Sequence, residues 1–565
     1  MQDAETGNWI VYNGEVYNFH EIRRELEREG VRFSSHSDTE VILKSYRVWG
    51  ERCLSKFRGM FAFAIWDARK KRLFIARDPL GIKPLYYWHS EEYFLFASEV
   101  RTLLGTGLVP RKLDRAGVVN FLAFGSVYDP NTVVEGVRAL GPGQFLVWEN
   151  GRIRTTVYWD LAGNSQNQAP ISREKLQDDI TEVLLESLRL NMVSDVPVGV
   201  FLSGGIDSSV VVGLLSQSGF RLNTFSLVFR EAEYSEAEYS RAVAQRFGTE
   251  HREISVSQRD ALDAIPGALQ SMDQPTIDGV NTYFISRQTR AAGVKVALSG
   301  LGGDEFFGGY SSFHTVPRME RFVDRWNRVP AVVRPVLANL FGMIAKDTDQ
   351  NRKLFALARD NGRLMHPYFL SRMLFTPGQQ HDLLTMVDPA AGESAGAPMR
   401  ETLEHAGSLD PINRVSYLEA RCYMLNTLLR DSDSMSMANG LEVRVPLIDH
   451  ILAERTFRFP GSWKLDESMP KPLLVNSLKG TLPSEVVHRR KQGFTLPFEP
   501  WMRQELRPAI ESGIGKVATG PLRTILKAES AHRIWQDFLL GKTSWSRPWA
   551  LYVLQSWCDL HSVSA

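Results

Sequence analysis

Two glycine-rich turns, each between a strand-like run and a helix-like run, constrain the fold of this chain more than any other feature. The first turn, residues 203–207, follows the apolar run 196–202 and precedes a helical pattern over 208–215. The second turn begins at Ser299, directly after the apolar run 294–298. Strands that alternate with helices predict an α/β fold with a doubly wound parallel sheet. Loops at the carboxyl ends of parallel strands share one crevice, so we expect the two turns to face each other.

The residues of the first turn favour the binding of an anion. Its full sequence is Ser203-Gly204-Gly205-Ile206-Asp207-Ser208-Ser209. A helix that begins in the turn presents backbone N–H groups and the positive end of its dipole, and glycine lets a phosphate approach closely. A carboxylate beside phosphate needs a cation between them, so Asp207 indicates Mg²⁺. The alternative is an ordinary turn with a capping serine, which would need far fewer special residues.

The second turn offers a partner for Asp207. Its sequence is Ser299-Gly300-Leu301-Gly302-Gly303-Asp304-Glu305. If both turns lie at one edge of the sheet, Asp304 completes the magnesium shell that Asp207 begins. The alternative is that Asp304 and Glu305 only favour the first turn of a helix, where acidic side chains offset the helix dipole.

The first 160 residues have a different pattern, in which short runs of β-branched and aromatic residues are separated by Gly, Asp and Pro. One clear helical pattern lies among them, at residues 18–29. This mixture predicts a layered α+β domain. The small, polar stretch 162–171 is the expected linker between domains at 1–161 and 172–565. Beyond about residue 315 the hydrophobic period predicts a helix-rich C-terminal part.

Composition excludes several classes of partner and location. Lys and Arg total 66 against 65 Asp and Glu, so charge gives no reason to expect nucleic acid or an anionic membrane as partner. The longest apolar stretch, 118–128, is too short to span a bilayer, and the N-terminal residues do not resemble a signal peptide. The three cysteines lie far apart and form no zinc-binding set. We therefore expect a cytoplasmic protein in a reducing compartment.

Together, these motifs resemble the synthetase domain of the glutamine-hydrolysing asparagine synthetase family. The first turn is similar to the pyrophosphate loop of the ATP-pyrophosphatase fold, and segments 298–310, 434–438, 441–449 and 490–494 are also typical of the family. The resemblance runs from about residue 194 to the C-terminus. It implies that the side-chain carboxylate of aspartate attacks ATP to form β-aspartyl-AMP and pyrophosphate. Ammonia then displaces AMP to give asparagine.

The resemblance also implies roles for individual residues. Lys491, Asp207 and Asp304 would be catalytic, with Mg²⁺ held by the two aspartates. The residues implied in ATP and pyrophosphate binding are Leu202, Ser203, Gly204, Gly205, Asp207, Ser208, Ser209, Leu227, Ser299 and Gly300. Without the resemblance, Lys491 would be an ordinary surface lysine, and Leu202 and Leu227 would be ordinary strand core.

Two departures from the family pattern bear on the acceptor substrate. Leu301 stands where many members have Glu, and Asp431 stands where many have Lys. These differences keep open a β-lactam synthetase-like or cluster-specific amidotransferase that acts on another carboxylate. A catalytically silent scaffold is the second alternative, against which the intact first turn argues.

The N-terminal segments 13–18, 37–40, 59–64 and 77–87 resemble the class II glutamine amidotransferase domain of the same enzymes. The resemblance implies an α+β sandwich of the N-terminal-nucleophile type. It further implies that glutamine is bound by Asn13, Gly14, Glu15 and Asp38. The alternatives are a hairpin turn at Asn13-Gly14 and a helix N-cap at Ser37 or Asp38.

The nucleophile of that domain is a cysteine at the mature N-terminus, whereas this chain begins Met1-Gln2. Cys53 is the nearest cysteine, and its helical surroundings predict that it is packed. We expect an incomplete sandwich that lacks its first strands, either because the start lies upstream, which we favour, or because the domain is truncated. In the second case the glutaminase is inactive and free ammonia is the nitrogen donor. Assembly as a homodimer is a further expectation.

Overall fold

The computed structural model describes residues 1–163, 172–229, 237–330, 333–334, 336–337, 353, 366–386, 388–489 and 496–565. The strands of the N-terminal part are β1 (Trp9–Val16), β2 (Gly59–Asp67), β3 (Arg72–Arg77), β4 (Tyr86–His89), β5 (Phe94–Ala97), β6 (Arg138–Ala139), β7 (Gln144–Glu149) and β8 (Arg152–Val157). They form an antiparallel sheet in the order β1-β2-β3-β7-β8 and a smaller sheet in the order β5-β4-β6.

The helices of the described residues extend over the whole chain. They are α1 (Phe19–Arg28), α2 (Asp38–Trp49), α3 (Val100–Gly105), α4 (Arg115–Phe124), α5 (Arg173–Asn191), α6 (Ile206–Gln217), α7 (Ala237–Phe247), α8 (Gln258–Leu262), α9 (Ile265–Ser271), α10 (Val280–Ala291), α11 (Gly303–Phe307), α12 (Ser312–Asn327), α13 (Pro367–Arg372), α14 (Pro377–Leu383), α15 (Pro389–His405), α16 (Pro411–Leu418), α17 (Arg430–Met437), α18 (His450–Thr456), α19 (Pro472–Val475), α20 (Ser484–Val487), α21 (Phe498–Arg503), α22 (Arg507–Gly515), α23 (Ala528–Leu539) and α24 (Ser546–His561). A π-helical segment, Glu419–Leu429, joins α16 to α17. Wherever the structure describes a helix, it is too short or too polar to cross a membrane.

The N-terminal part is a layered sandwich because the strands alternate their side chains between two faces. In β2, Phe61, Phe63 and Ile65 belong to the core beneath α1 and α2. The small side chains of Ala62 and Ala64 point the other way, into the core shared with the second sheet. This period of two places large residues under the helices and small ones between the sheets. The predicted α+β sandwich is confirmed.

The second half contains the predicted parallel sheet. Its strands are β9 (Val198–Phe201), β10 (Asn223–Phe229), β11 (Glu250–Val256), β12 (Val296–Leu298) and β13 (Glu442–Arg444). They pair in the order β11-β10-β9-β12-β13, and every pairing is parallel. The chain runs outward from β9 to β11 and then returns to place β12 on the other side of β9. The strand order therefore reverses between β9 and β12, which is the position where such sheets bind ligands.

The two halves share one hydrophobic core rather than meeting only at a surface. Phe121 of α4 belongs to the same buried cluster as Trp549 and Trp557 of α24. The N–H of Arg101 donates to Oδ1 of Asp273 at 3.1 Å. Near the C-terminus, the carbonyl of Ser564 accepts the N–H of Leu113 at 2.8 Å. Elements around α4 are thus held by packing from the C-terminal helices.

Buried ion pairs also cross between the halves. Arg58, between α2 and β2, donates to Asp449 at 2.6 Å, and Lys83 donates to Asp433 at 2.7 Å. The side chains of Lys83 and Asp433 are only 5% and 13% exposed. Removing one member of such a pair leaves the other charge uncompensated away from water.

We expect Lys83→Met to destabilise the protein by about 3 to 5 kcal/mol, because it leaves Asp433 without its cation. A chemical or thermal unfolding midpoint measures the loss. The matched control is Lys112→Met, whose pairing with Glu135 is about half exposed, at 58% and 52%. That control is expected to change stability by about 1 kcal/mol or less. Equal losses in the two variants would contradict a special role for the buried pair.

Candidate functional site

The two glycine-rich turns touch each other at the point where the strand order reverses. The first leads from β9 into α6, and the second leads from β12 into α11. A Cβ atom on Gly300 would lie 2.7 Å from the main-chain nitrogen of Ser208 and 2.9 Å from Cβ of Asp207. Only glycine permits this approach. The expectation that both turns face one crevice agrees with this geometry.

A cleft of about 820 Å³ opens above these turns. It is lined by the predicted residues Leu202, Ser203, Gly205, Asp207, Ser208, Leu227, Ser299, Gly300 and Asp304. This volume lies within the usual range for small-molecule sites, roughly 300 to 1,000 Å³. Two predicted residues lie behind the lining: Ser209 is fully buried in α6, and the carbonyl of Gly204 accepts from Arg489 at 3.3 Å. Lys491 lies outside the described residues.

A lysine that sequence analysis missed joins the two predicted magnesium ligands. Nζ of Lys471 lies 2.6 Å from both carboxylate oxygens of Asp207 and 2.6 Å from Oδ1 of Asp304. The Lys471 side chain is only 7% exposed. Although burial lowers the pKa of an amine, the two carboxylates outweigh it and raise the pKa of Lys471. The cleft therefore holds a compact group of two anions and one cation.

Glycines make room for this charged group. A Cβ atom on Gly303 would lie 2.4 Å from Oδ1 of Asp207, and one on Gly309 would lie 1.8 Å from Oδ1 of Asp304. Within the described ranges, no group of three or more His, Cys, Asp or Glu side chains could hold a metal ion. Two convergent carboxylates still suit Mg²⁺, which usually binds one or two carboxylates and completes its shell with phosphate and water.

The start of α6 provides the anion-binding geometry expected for the first turn. Gly205 is the N-cap residue of a 12-residue helix. The hydroxyls of Ser203 and Ser208 lie 3.2 Å apart across the turn. Arg489 lines the same cleft, with its guanidinium 4.7 Å above the ring of Tyr239. A helix N-terminus, serine hydroxyls and nearby cations together suit a polyphosphate.

The edge of β10 that faces β9 is open to the cleft where β9 ends. The carbonyl of Phe225 accepts the N–H of Leu202 at 2.8 Å, so the main chain of Phe225 faces β9. Main-chain groups alternate sides along a parallel strand, and those of Leu227 therefore also face that side. Because β9 ends at Phe201, one donor and one acceptor of Leu227 are presented to the cleft. A neighbouring donor and acceptor suit a ligand edge that carries the complementary pair.

The two departures from the family pattern have different positions. Leu301 lines the cleft. Asp431 is buried outside the lining, where Oδ2 accepts from the hydroxyl of Thr276 at 2.7 Å. Burial and the nearby charge of Asp278 raise the pKa of Asp431 to about 8. Its side chain therefore serves local packing, whereas Leu301 directly shapes the ligand space.

The predicted glutamine residues come together at the end of β1. Asn13 and Gly14 lie within the strand, so the hairpin alternative is wrong. A Cβ atom on Gly14 would lie 2.0 Å from the carbonyl oxygen of Met60, which gives this glycine a packing reason as well. Asn13 donates to the hydroxyl of Ser98 at 3.1 Å.

Two carboxylates, from Asp38 and Glu15, lie near each other in this group. Ser37 caps α2 as the alternative predicted, but Asp38 turns to β1 and accepts from the N–H of Val16 at 3.1 Å and from the hydroxyl of Tyr12 at 2.8 Å. Burial and the charge of Asp38 raise the pKa of Glu15 to about 7. Such a pair of acids favours a ligand that carries an ammonium group.

None of the three cysteines of the chain is an exposed thiol. Cys53 and Cys558 are fully buried, and Cys422 is 2% exposed. Burial raises the pKa of each of these thiols. Thiolate is the nucleophilic form, so burial of all three argues against a nucleophilic role for them. The packing predicted for Cys53 is present.

Lys464 is another cleft residue without a signal in the sequence. Its side chain is fully buried, and Nζ donates to the hydroxyl of Ser416 at 3.1 Å. The amine also lies 4.2 Å from the ring centre of Phe457. Burial lowers the pKa of Lys464 to about 7, and the distant charge of Asp410 offsets this only in part.

Comparisons with known proteins agree on both halves of the chain. The family model for asparagine synthase matches residues 179–559, and that for a glutamine amidotransferase domain matches residues 1–159. Asparagine synthetase [glutamine-hydrolyzing] 1 of Bacillus subtilis is 31% identical over 98% of this chain and 85% of its own length. A putative asparagine synthetase [glutamine-hydrolyzing] of Mycobacterium tuberculosis is 31% identical over 97% of this chain and 84% of its own.

More distant matches add little. Amidase chry2 of Gibberella zeae is 26% identical over 91% of this chain and 81% of its own length. Among solved structures, the allosteric regulatory enzyme of purine biosynthesis is 16% identical and covers 44% of each chain. Its TM-score is 0.21.

The lowered pKa of Lys464 can be tested through the pH dependence of the protein's stability. A lysine has a pKa of about 10.4 when unfolded, so between about pH 7 and pH 10 the unfolded state binds more protons and stability rises with pH. We expect the stability advantage of the wild type over Lys464→Met to grow by about 2 kcal/mol between pH 7.5 and 9.5, since groups that titrate in both proteins cancel in the comparison. Unfolding midpoints across this range measure it. Lys516→Met, at an exposed lysine, should retain the wild-type dependence; an unchanged profile in Lys464→Met would contradict the lowered pKa.

Proposed function

Because the chain belongs to the asparagine synthase family, we propose that it amidates L-aspartate to L-asparagine at the expense of ATP. The observation that most supports this is the joining of Asp207, Asp304 and Lys471 where the two glycine-rich turns meet. The reaction consumes ATP and a nitrogen donor and releases AMP and pyrophosphate. The cleft above the parallel sheet is its proposed site, and the cytoplasm its proposed location.

The first step would be adenylation. An oxygen of the aspartate side chain forms a bond to the α-phosphorus of ATP, and the bond to the β-phosphate oxygen breaks. Pyrophosphate leaves with the electron pair, and β-aspartyl-AMP remains. The start of α6, Lys471, Arg489 and Lys491 would bind the departing phosphates, since donors aimed at developing negative charge lower the barrier. Mg²⁺ held by Asp207 and Asp304 would supply further charge compensation when bound.

The second step would form the amide. Ammonia attacks the activated carbonyl carbon, a C–N bond forms, and the C–O bond to AMP breaks. The nitrogen loses a proton and AMP leaves with the electron pair. Leu202 and Leu227 would hold the adenine, and Ser299 and Gly300 would lie beside the ribose, so the leaving group stays fixed while the acyl carbon is attacked.

We propose that glutamine is the nitrogen donor in the full-length family and that free ammonia is the donor for this 565-residue chain as given. The buried state of all three cysteines supports this, because glutamine hydrolysis in class II amidotransferases requires an exposed nucleophilic thiol. Asn13, Gly14, Glu15 and Asp38 would still bind glutamine, with its α-ammonium beside the two carboxylates. The N-terminal domain would then bind the donor without cleaving it.

Leu301 supports a second candidate, in which another carboxylic acid is the acceptor. An apolar side chain at the cleft wall cannot pair with a charged group of the substrate. Asp431 gives this candidate less support because its carboxylate is buried outside the cleft. A silent scaffold is disfavoured because it would not need the buried Lys471 between two aspartates.

Release of pyrophosphate tests the proposed reaction. With ATP, Mg²⁺ and ammonium, we expect release that depends on aspartate. We expect Asp207→Asn to lower the rate at least about 100-fold, since it removes a carboxylate that would hold the Mg²⁺ compensating charge at the leaving group. The control Asp466→Asn, at an exposed residue on the cleft rim, should retain the wild-type rate. Release only with a different acid would favour the second candidate. Nucleotide binding without release under any acid would favour the scaffold.

The nitrogen source is tested separately by measuring how much asparagine forms with ammonium or with glutamine as the donor. We expect product with ammonium alone, because the synthetase site is complete without a thiol. With glutamine alone we expect neither asparagine nor glutamate above the uncatalysed background. Glutamate formation by this chain would contradict the proposal, whatever the result with ammonium.

A further inference from the structure

Arg444 lies between the proposed glutamine site and the proposed nucleotide cleft. It is the last residue of β13, and its side chain is only 2% exposed. Its guanidinium contacts residues of both halves, while its main chain belongs to the parallel sheet. One residue therefore contacts both functional regions.

The guanidinium of Arg444 reaches the glutamine site directly. Nη2 lies 3.7 Å from Oε1 of Glu15, and the guanidinium carbon lies 5.4 Å from the ring centre of Tyr17. Nε donates to Glu442 at 2.6 Å, and Nη1 donates to the carbonyl of Asn191 at 2.9 Å. The planar guanidinium is thus held by several partners, which fixes its position relative to Glu15.

The main chain of Arg444 reaches the nucleotide cleft. Its carbonyl accepts the N–H of Ser299 at 2.8 Å, at the point where β12 passes into the second turn. In the sheet, Arg444 pairs with Leu298. Ser299 and Gly300 both line the cleft. The strand end that carries these residues is therefore held by the same residue that pairs with Glu15.

Arg58, another buried cation between the two halves, does not join the two sites in this way. Arg58 pairs with Glu186 and Asp449, and neither of these belongs to the glutamine group or to the cleft lining. Arg58 is similarly buried, with a side chain 10% exposed. It provides a matched comparison for Arg444.

We propose that Arg444 is a positioning residue through which binding of glutamine strengthens binding of ATP. The proposal rests on the proposed function, because it takes Glu15 as part of the glutamine site and Ser299 as part of the ATP site. Glu442 and Asn191 already hold the guanidinium, and the carbonyl of Arg444 already accepts the N–H of Ser299. Glutamine would lock Glu15 against the guanidinium as one further contact, which stiffens the strand end that carries Ser299. A cleft ordered in advance loses less conformational freedom when the nucleotide binds.

The experiment is equilibrium binding of α,β-methylene-ATP with Mg²⁺, without aspartate, in the absence and presence of saturating L-glutamine. In the wild type we expect glutamine to lower the dissociation constant at least about 5-fold, the lower end of common coupling between sites. In Arg444→Lys the charge remains but the fork is lost, and we expect the effect to fall below about 2-fold. Arg58→Lys should retain the wild-type ratio.

Glu15→Gln provides an independent variant that leaves the sheet untouched. At saturating glutamine it should also lose the effect on nucleotide affinity, because a neutral amide cannot pair with Arg444. Full coupling in either Arg444→Lys or Glu15→Gln would overturn the proposal, and so would a wild type that binds both ligands without any coupling. A wild type that binds neither ligand would instead contradict the proposed function itself.

Discussion

The architecture of the cleft depends on two carboxylates, those of Asp207 and Asp304, that lie close together and are mostly buried. Asp207 and Asp304 are 19% and 20% exposed, and Lys471 supplies the positive charge between them. Like charges this close are unfavourable unless a cation compensates them. The strand order brings the two aspartates together, and the glycines of both turns leave them room. Chain topology, local sequence and electrostatics therefore all contribute to one arrangement, in which two carboxylates lie close together and the ammonium of Lys471 lies between them.

The same pairing of buried cations with carboxylates also holds the two halves of the chain together. Arg444, Arg58 and Lys83 carry positive charge into the junction, and a carboxylate meets each of them. Breaking such pairs is costly because the remaining charge stays away from water. The shared hydrophobic core around α4 and α24 adds the larger non-directional contribution. Because the two halves are held together in this way, ligand binding at the proposed glutamine site can affect the proposed ATP site through the guanidinium of Arg444.

The sequence was sufficient where local patterns carry the structure and insufficient where distant contacts do. The apolar runs of β9, β10 and β12 and their turns are visible directly, whereas β11 alternates polar side chains and β13 has three residues. No local pattern marks Lys471, which is 264 positions from Asp207. Asp38 shows the limit most clearly: its neighbour Ser37 caps α2 as local rules predict, but tertiary contacts with β1 decide where its own carboxylate points.

Acceptor choice depends on which departures from the family pattern actually meet the substrate. A reversed charge at residue 431 would matter in the cleft, but Asp431 is buried and bonded to Thr276, so it presents no anion there. Leu301 does line the cleft, beside Asp304 and Glu305. Burial and the charge of Asp304 raise the pKa of Glu305 to about 7, and the hydroxyl of Tyr310 donates to it at 2.7 Å. A cleft wall formed by the apolar Leu301 next to the acidic Glu305 would tolerate aspartate as the acceptor. It would equally accept a carboxylic acid whose remaining part is less polar than that of aspartate.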